Sequence, residues 1–381
     1  MTFAALAAAL RWPAVAGHLG VGAVVRWSEL LRDEGSMGVS LPLRLIDGTS
    51  SSDLTQAADR LRSMYRCARV DVSPDPTRGD RVVLRLFHDA EPPSLPYPWQ
   101  ERAAEVVPPR WDVPVPLGVT ASGALASVPL FDRTMGGSSL LIGGVPGSGK
   151  STALRVVMAG LCPTTTTMLL IDPTGGAEAR LWLPRLSAVV DDADATPTID
   201  LLRQVLGLIE LRGRLLGLGC PIALLSPVLL VVDELAEMAA AGQPKAQDEA
   251  RALLRRIVAL GRKANVACVL ATQRTTATSI DITTRSLVSW RFALAHPDDP
   301  HGSEALLGPG RHDAARLSKR SVGAGYLTNG GSPELVRVFV LERESVPTLL
   351  AGGALLSLAQ VRSLDEAALR EYELAAPPPS P

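Results

Sequence analysis

Residues 144–151 read GVPGSGKS and directly follow the apolar run 139–143, SLLIG. Gly144, Gly149, Lys150 and Ser151 fill the pattern G-x-x-x-x-G-K-[ST]. The preceding run has the length of a strand, and a helix is expected to begin near Thr152. That order of strand, glycine-rich loop and helix matters because the glycines let backbone N–H groups converge on phosphates at a helix N-terminus. Gly144, Val145, Pro146, Gly147, Ser148, Gly149, Lys150, Ser151 and Thr152 are therefore expected to hold a nucleotide. Lys150 would reach the β- and γ-phosphates and Ser151 would ligate Mg2+. Lysine is scarce in this chain, with 34 of the 38 basic residues being arginine, so a lysine at this place is not compositional background.

Residues 229–234, LLVVDE, supply the second half of such a site. Four apolar residues bury a strand and two acids emerge at its end. Phosphoryl transfer asks mainly for positioning and charge stabilisation. Asp233 is accordingly expected to hold the magnesium through water, and Glu234 to polarise the attacking water. Lys150 and Asp233 lie 83 positions apart, which leaves room for an intervening strand and helices. The sequence has no guanine-specifying N-K-x-D run, so ATP is the expected nucleotide. Gln273 ends the next apolar run, where its amide would sense the γ-phosphate or the water.

Further apolar runs at 167–172, 227–233, 266–273 and 288–295 alternate with helical stretches at 199–218 and 246–264. Their apolar residues run together rather than alternate, as in parallel strands covered on both faces. The expected fold class is α/β with a mainly parallel central sheet, preceded by a small α/β domain. The expected division is an apolar helical segment at 1–36, a small domain and proline-rich linker at 37–104, the main domain at 105–345, and a helix with a proline-rich tail at 346–381. In the small domain, strands are read at 39–46, 69–72 and 81–87, with one helix over 52–65.

Composition narrows the function classes. A chain of 381 residues with 46% apolar residues holds a large aliphatic core. A net charge of −1 provides no global basic field, so contact with nucleic acid would need a local patch or a ring of subunits. Cys67, Cys162, Cys220 and Cys268 are scattered without metal-binding spacing, which disfavours a zinc site or a disulfide framework and points to a reducing cytosol. The N-terminal runs 3–10 and 13–25 are broken by Arg11 and fall short of the ~18 residues a membrane helix needs. A packing helix is expected there, with peripheral membrane contact as the alternative.

Taken together, these runs resemble the FtsK/SpoIIIE family of double-stranded DNA translocases, and within it the actinobacterial plasmid-transfer members. The resemblance covers about residues 112–330. It rests on residues 115–118 with Gly123, on GGVPGSGKST, on the strand end Leu170-Ile171-Asp172-Pro173, on LLVVDELAEM, and on residues 257–274, IVALGRKANVACVLATQR. Residues 282–285, 306–310 and 323–327 continue it in the family's order. Thr174 stands where the family commonly has lysine, and Thr283 where it has proline.

The resemblance implies a RecA-like P-loop ATPase domain using ATP and Mg2+. It also implies a homo-oligomer, a hexameric ring with duplex DNA in the pore, and an arginine finger supplied by the neighbouring subunit. Arg285 is the first candidate for that finger and Arg291 the second, with a structural salt bridge as the alternative role. The expected catalytic set is thus Lys150, Glu234, Gln273 and Arg285, with Ser151 and Asp233 at the metal. The expected activity is ATP-driven translocation of double-stranded DNA, in transfer of a plasmid or integrative element between cells. The family's membrane helices and winged-helix DNA reader have no counterpart in this sequence, so membrane anchoring and directional reading would come from a separate membrane or DNA-recognition partner or be absent; the expected location is cytoplasmic, with recruitment to the membrane as the alternative. The alternatives are a motor of a protein-secretion apparatus, which shares the same core, and a nucleotide-binding adaptor without activity.

Overall fold

The computed structural model describes residues 3–26, 39–67, 69–75, 78–87, 97–99, 110–121, 123–175, 177–273, 282–297, 299–318, 321–350 and 356–375. The linker residues 100–109 and the tail 376–381 lie outside them. The chain divides into two compact units, residues 1–94 with 120–124 and residues 95–119 with 125–381.

The smaller unit contains α1 (Phe3–Leu19), β1 (Ala23–Val25), β2 (Val39–Leu45), α2 (Ser51–Gln56), α3 (Ala58–Tyr65), β3 (Arg69–Pro74) and β4 (Arg81–Phe87). Its strands form an antiparallel sheet in the order β1-β2-β4-β3. Trp12 and Val15 of α1, Leu54, Leu61, Leu41, Leu43 and Leu84 share one core. The apolar face of α1 is used within this unit: Trp12 Nε1 donates to the Ala23 carbonyl at 2.8 Å, and the Tyr65 hydroxyl donates to the Ala8 carbonyl at 3.1 Å. Among the described residues, no helix is long and apolar enough to cross a membrane. The single helix expected over 52–65 is two helices. Ser50 and Asp53 form a reciprocal capping box at the first, and the chain relaxes at Ala57 before restarting.

The larger unit contains β5 (Val115–Thr120), β6 (Leu125–Val128), β7 (Phe131–Asp132), β8 (Gly136–Gly137), β9 (Ser139–Gly143), α4 (Lys150–Leu161), β10 (Thr167–Ile171), α5 (Ala177–Trp182), β11 (Leu186–Val190) and α6 (Ala195–Gly217). It continues with β12 (Val228–Val232), α7 (Leu235–Ala240), α8 (Pro244–Leu260), β13 (Val266–Thr272), α9 (Ile282–Leu287), β14 (Trp290–Leu294), α10 (Pro300–Leu307), β15 (Ala324–Thr328), β16 (Glu334–Val338), α11 (Val346–Leu349) and α12 (Leu358–Ala375). Ten strands form one sheet in the order β11-β10-β12-β13-β9-β14-β15-β16-β5-β6. From β11 to β14 all pairings are parallel, whereas β14–β15, β15–β16 and β5–β6 are antiparallel.

The uninterrupted apolar runs have a direct structural reason. In β12, Val228, Leu230 and Val232 enter one core with residues of α6 and α8, while Leu229 and Val231 enter the other core with residues of α4. Both faces of the strand are dry, so neither set of side chains can be polar. The C-terminal helix α12 packs on α6, where fully buried Arg212 pairs with Asp365 at 2.7 Å and donates to the Ala264 carbonyl at 2.8 Å. The edge strand β11 and the antiparallel strands were not among the strands read from the apolar runs.

Candidate nucleotide site

The parallel strands β12, β13 and β9 are neighbours, so their C-terminal ends bring three loops side by side. Such ends are where open α/β sheets bind ligands. After Gly143, the glycine-rich loop hangs between two strand ends. The Gly144 N–H donates to the Thr272 carbonyl at 3.3 Å and the Val145 N–H to the Ala295 carbonyl at 3.2 Å. Gly147 and Gly149 have φ of 79° and 105°, a region that side chains with a Cβ rarely occupy. At Gly149 the spacing adds a second requirement, since a Cβ would come within 2.8 Å of the Gly323 nitrogen. Gly323 in turn donates its N–H to the Ser148 carbonyl at 2.8 Å, which clamps the outer side of the loop.

The N–H groups of Gly147, Gly149, Lys150 and Ser151 take no backbone acceptor among the described residues. Converging unpaired donors at the start of α4 fit the phosphates of a nucleotide. Lys150 is 7% exposed, and its ammonium lies 2.6 Å from Asp233 Oδ1 and 3.5 Å from Glu234 Oε2. The two motifs read 83 positions apart therefore meet as an ion pair. Ser151 and Asp233 line one small cavity together with Asp172, Glu178, Arg155 and Trp182. A hydroxyl and a carboxylate lining the same cavity are oxygen donors of the kind a magnesium ion takes.

Glu234 holds a left-handed backbone, φ 64° and ψ 73°, which costs a residue with a Cβ about 1–2 kcal/mol. Its carboxylate offsets that cost with donors from β13. Oε1 accepts from the Thr272 hydroxyl at 3.0 Å and from the Gln273 N–H at 3.2 Å, and Oε2 accepts from the same N–H at 3.0 Å. Gln273 thus meets Glu234 through its backbone, while its side chain is exposed. The sequence pointed to its amide. The main-chain contact has no sequence signal of its own, because any residue offers an N–H. Thr272 and Asp172 were also passed over as site residues. Thr174, at the position where the resembled family has lysine, caps Asp172: its hydroxyl donates to Oδ1 at 2.6 Å and its N–H at 3.2 Å.

Arg285 and Arg291 sit apart from this cluster. Helix α9 leads into β14, and the Ser289 N–H donates to Ser139 Oγ at the first residue of the parallel strand β9. The chain therefore enters β14 from the end of the sheet away from the glycine-rich loop. Arg285 donates to the Ala305 carbonyl at 3.0 Å, and Arg291 donates to the Arg285 carbonyl at 3.2 Å. Burial, and then the Arg285 charge, hold the Arg291 guanidinium below its ordinary value. Among the described residues neither arginine has a carboxylate partner or touches Lys150, Asp233 or Glu234.

No protein-family model and no curated protein matches this chain. Solved structures do. The pCW3 conjugation coupling protein TcpA, in a monomer form with ATPγS, is similar with a TM-score of 0.58 and 17% identity over 88% of this chain and 96% of its own. The cytoplasmic domain of the type VII secretion ATPase EccC from Thermomonospora curvata gives a TM-score of 0.53 and 23% identity over 66% of this chain and 32% of that one. ATPases 2 and 3 of the same organism's EccC, in complex with a signal sequence peptide, give 0.50 and 16% over 74% and 53%. The chain therefore spans only about a third to a half of those EccC structures. It has the RecA-like P-loop ATPase fold, the fold shared by its structural neighbours TcpA and EccC.

Proposed function

We propose that this chain is an ATP-hydrolysing motor of the FtsK/SpoIIIE type that moves double-stranded DNA, in transfer of a plasmid or integrative element. The observation that carries the enzymatic part is the convergence of Lys150, Asp233 and Glu234 within 2.6–3.5 Å at the mouth of a loop with free N–H donors. An adaptor that only binds nucleotide has no use for a buried glutamate at this place. In this reading, the loop N–H groups and Lys150 cradle the β- and γ-phosphates. Ser151 and Asp233 hold Mg2+, which neutralises charge developing on the phosphates. Glu234 accepts a hydrogen bond from the attacking water and orients it, while the Gln273 side chain reads the state of the γ-phosphate.

The DNA part rests on the family resemblance and on likeness to a conjugation coupling protein. The subunits are proposed to form a hexameric ring around duplex DNA, each site completed by Arg285 of its neighbour. Likeness to EccC favours a second reading, a motor of a protein-secretion apparatus. ATP turnover measured with and without duplex DNA separates the two. The DNA reading expects stimulation that fades with added salt, because phosphate contacts release counterions. Turnover indifferent to DNA would sink it. The Glu234→Gln variant should bind ATP and not turn it over, and wild-type turnover by that variant would remove the enzymatic assignment.

A further inference from the structure

Strand β13 lies between the strand that leads into the phosphate loop and the strand that ends at Asp233, and its last residue touches both. The fully buried Thr272 accepts the Gly144 N–H on its carbonyl and donates its hydroxyl to Glu234 Oε1. The next N–H, that of Gln273, donates to both Glu234 oxygens. Two of the three described donors to this carboxylate thus come from the last residue of β13 and the residue directly after it, and β13 is fixed by parallel pairing to β12 on one side and β9 on the other.

The third donor is Lys150, at 3.5 Å. It is also the group that phosphates would draw away, since an ammonium is a compact charge that follows the strongest nearby anion. When Lys150 turns to a nucleotide, the β13 donors are what keeps Glu234 aimed. Placement within a fraction of an ångström matters to a carboxylate that must orient a water.

We propose that Thr272 is a positioning residue for hydrolysis: its hydroxyl, with the Gln273 N–H, holds the Glu234 carboxylate on the attacking water once Lys150 has turned to the phosphates. The proposal rests on the reading of Glu234 as the water-activating group. Because the carbonyl of the same residue anchors Gly144, the orientation of Glu234 is tied to the seat of the phosphate loop.

The test uses the full-length chain with ATP, Mg2+ and duplex DNA, comparing Thr272→Val, Thr272→Ser and Glu234→Gln. Thr272→Val keeps the shape and removes the donor, so kcat should fall about 10-fold or more while KM and the affinity for a fluorescent ATP analogue stay within about twofold. Thr272→Ser should restore most of kcat. A Thr272→Val protein that melts like wild type and hydrolyses like wild type overturns the proposal. So does a defect that Ser fails to rescue, or one in which affinity falls together with kcat. If Thr272→Val does not fold, Thr272→Ala takes its place under the same criteria. Wild-type turnover by Glu234→Gln alone is a separate failure, which removes the role of Glu234 itself.

Discussion

Two groups of basic side chains in the larger unit are handled in opposite ways. Lys150 is almost completely buried and has both its anions inside the chain, Asp233 at 2.6 Å and Glu234 at 3.5 Å. Arg285 and Arg291 are half-buried and, among the described residues, have only carbonyl oxygens for partners, and burial followed by the Arg285 charge disfavours the charge of Arg291. The chain is able to bury an arginine with its anion, as Arg212 shows with Asp365. Among the described residues the pair on α9 and β14 has no carboxylate beside it, a state it shares with buried Arg185, which donates to the Cys162 and Thr164 carbonyls. A positive site completed within the chain suits the binding of a ligand that then displaces the internal anions. For Arg285 the proposed role is that of a finger on the phosphates held by an adjacent subunit.

The comparison breaks most sharply at Lys150. Lys150→Ala should abolish hydrolysis and weaken nucleotide binding, measured by phosphate release and by titration with a fluorescent ATP analogue. Retained turnover would mean the internal pair is purely structural. Next comes Arg285→Ala, which should leave ATP binding near normal and lower hydrolysis by the ~10³-fold scale of an arginine finger. Mixing Arg285→Ala with Glu234→Gln subunits sharpens the point, because some interfaces then join an intact Arg285 to an intact Glu234. Recovery of hydrolysis supports a shared site, and no recovery in rings shown to be mixed moves the finger to Arg291 or removes it.

The paired arginine gives the third test. Asp365→Ala strands the Arg212 charge in the core and should cost about 3–5 kcal/mol of stability, whereas replacing both partners by apolar residues should cost much less. Denaturant midpoints of the single and double variants decide it, and equal losses would show that packing of α12 rather than the charge governs this contact. The smallest effect is expected at His296, just beyond β14. Burial holds its imidazole below the ordinary range, and Nδ1 hydrogen-bonds the Leu294 carbonyl at 2.8 Å. The folded chain therefore prefers the neutral ring, whose contribution is present above the unfolded value and lost as pH falls below it. The fall in Tm between about pH 7.5 and about pH 5.5 should shrink in His296→Asn. An unchanged slope would place the pH sensitivity elsewhere.

Much of this was legible in the chain itself, for reasons that differ by residue. The loop at 144–151 is local: glycines at Gly147 and Gly149 permit the left-handed turns, and the helix starts at Lys150 directly after Gly149, its N-cap. The strands β9, β10, β12, β13 and β14 were readable because burial on both faces leaves a continuous apolar run. The same reasoning could not see β11, whose Leu186, Ser187 and Ala188 are only partly buried at the sheet edge. Nor could it see the break at Ala57, where two helical stretches share one apolar pattern.

The sequence by itself determined which residues carry charge and where the backbone can bend, so it specified the phosphate loop, the acids at 233–234 and the parallel core. Apolar periodicity reports whether a position is buried and says nothing of what it is buried against. Only the tertiary structure decided that β13 would lie between β9 and β12, and hence that Thr272 and the Gln273 N–H would grip Glu234. The same holds for the ion pair of Lys150 with Asp233 and for the carbonyl partners of Arg285 and Arg291, since hydrogen bonds and ion pairs form between groups that strand order, not sequence distance, brings together.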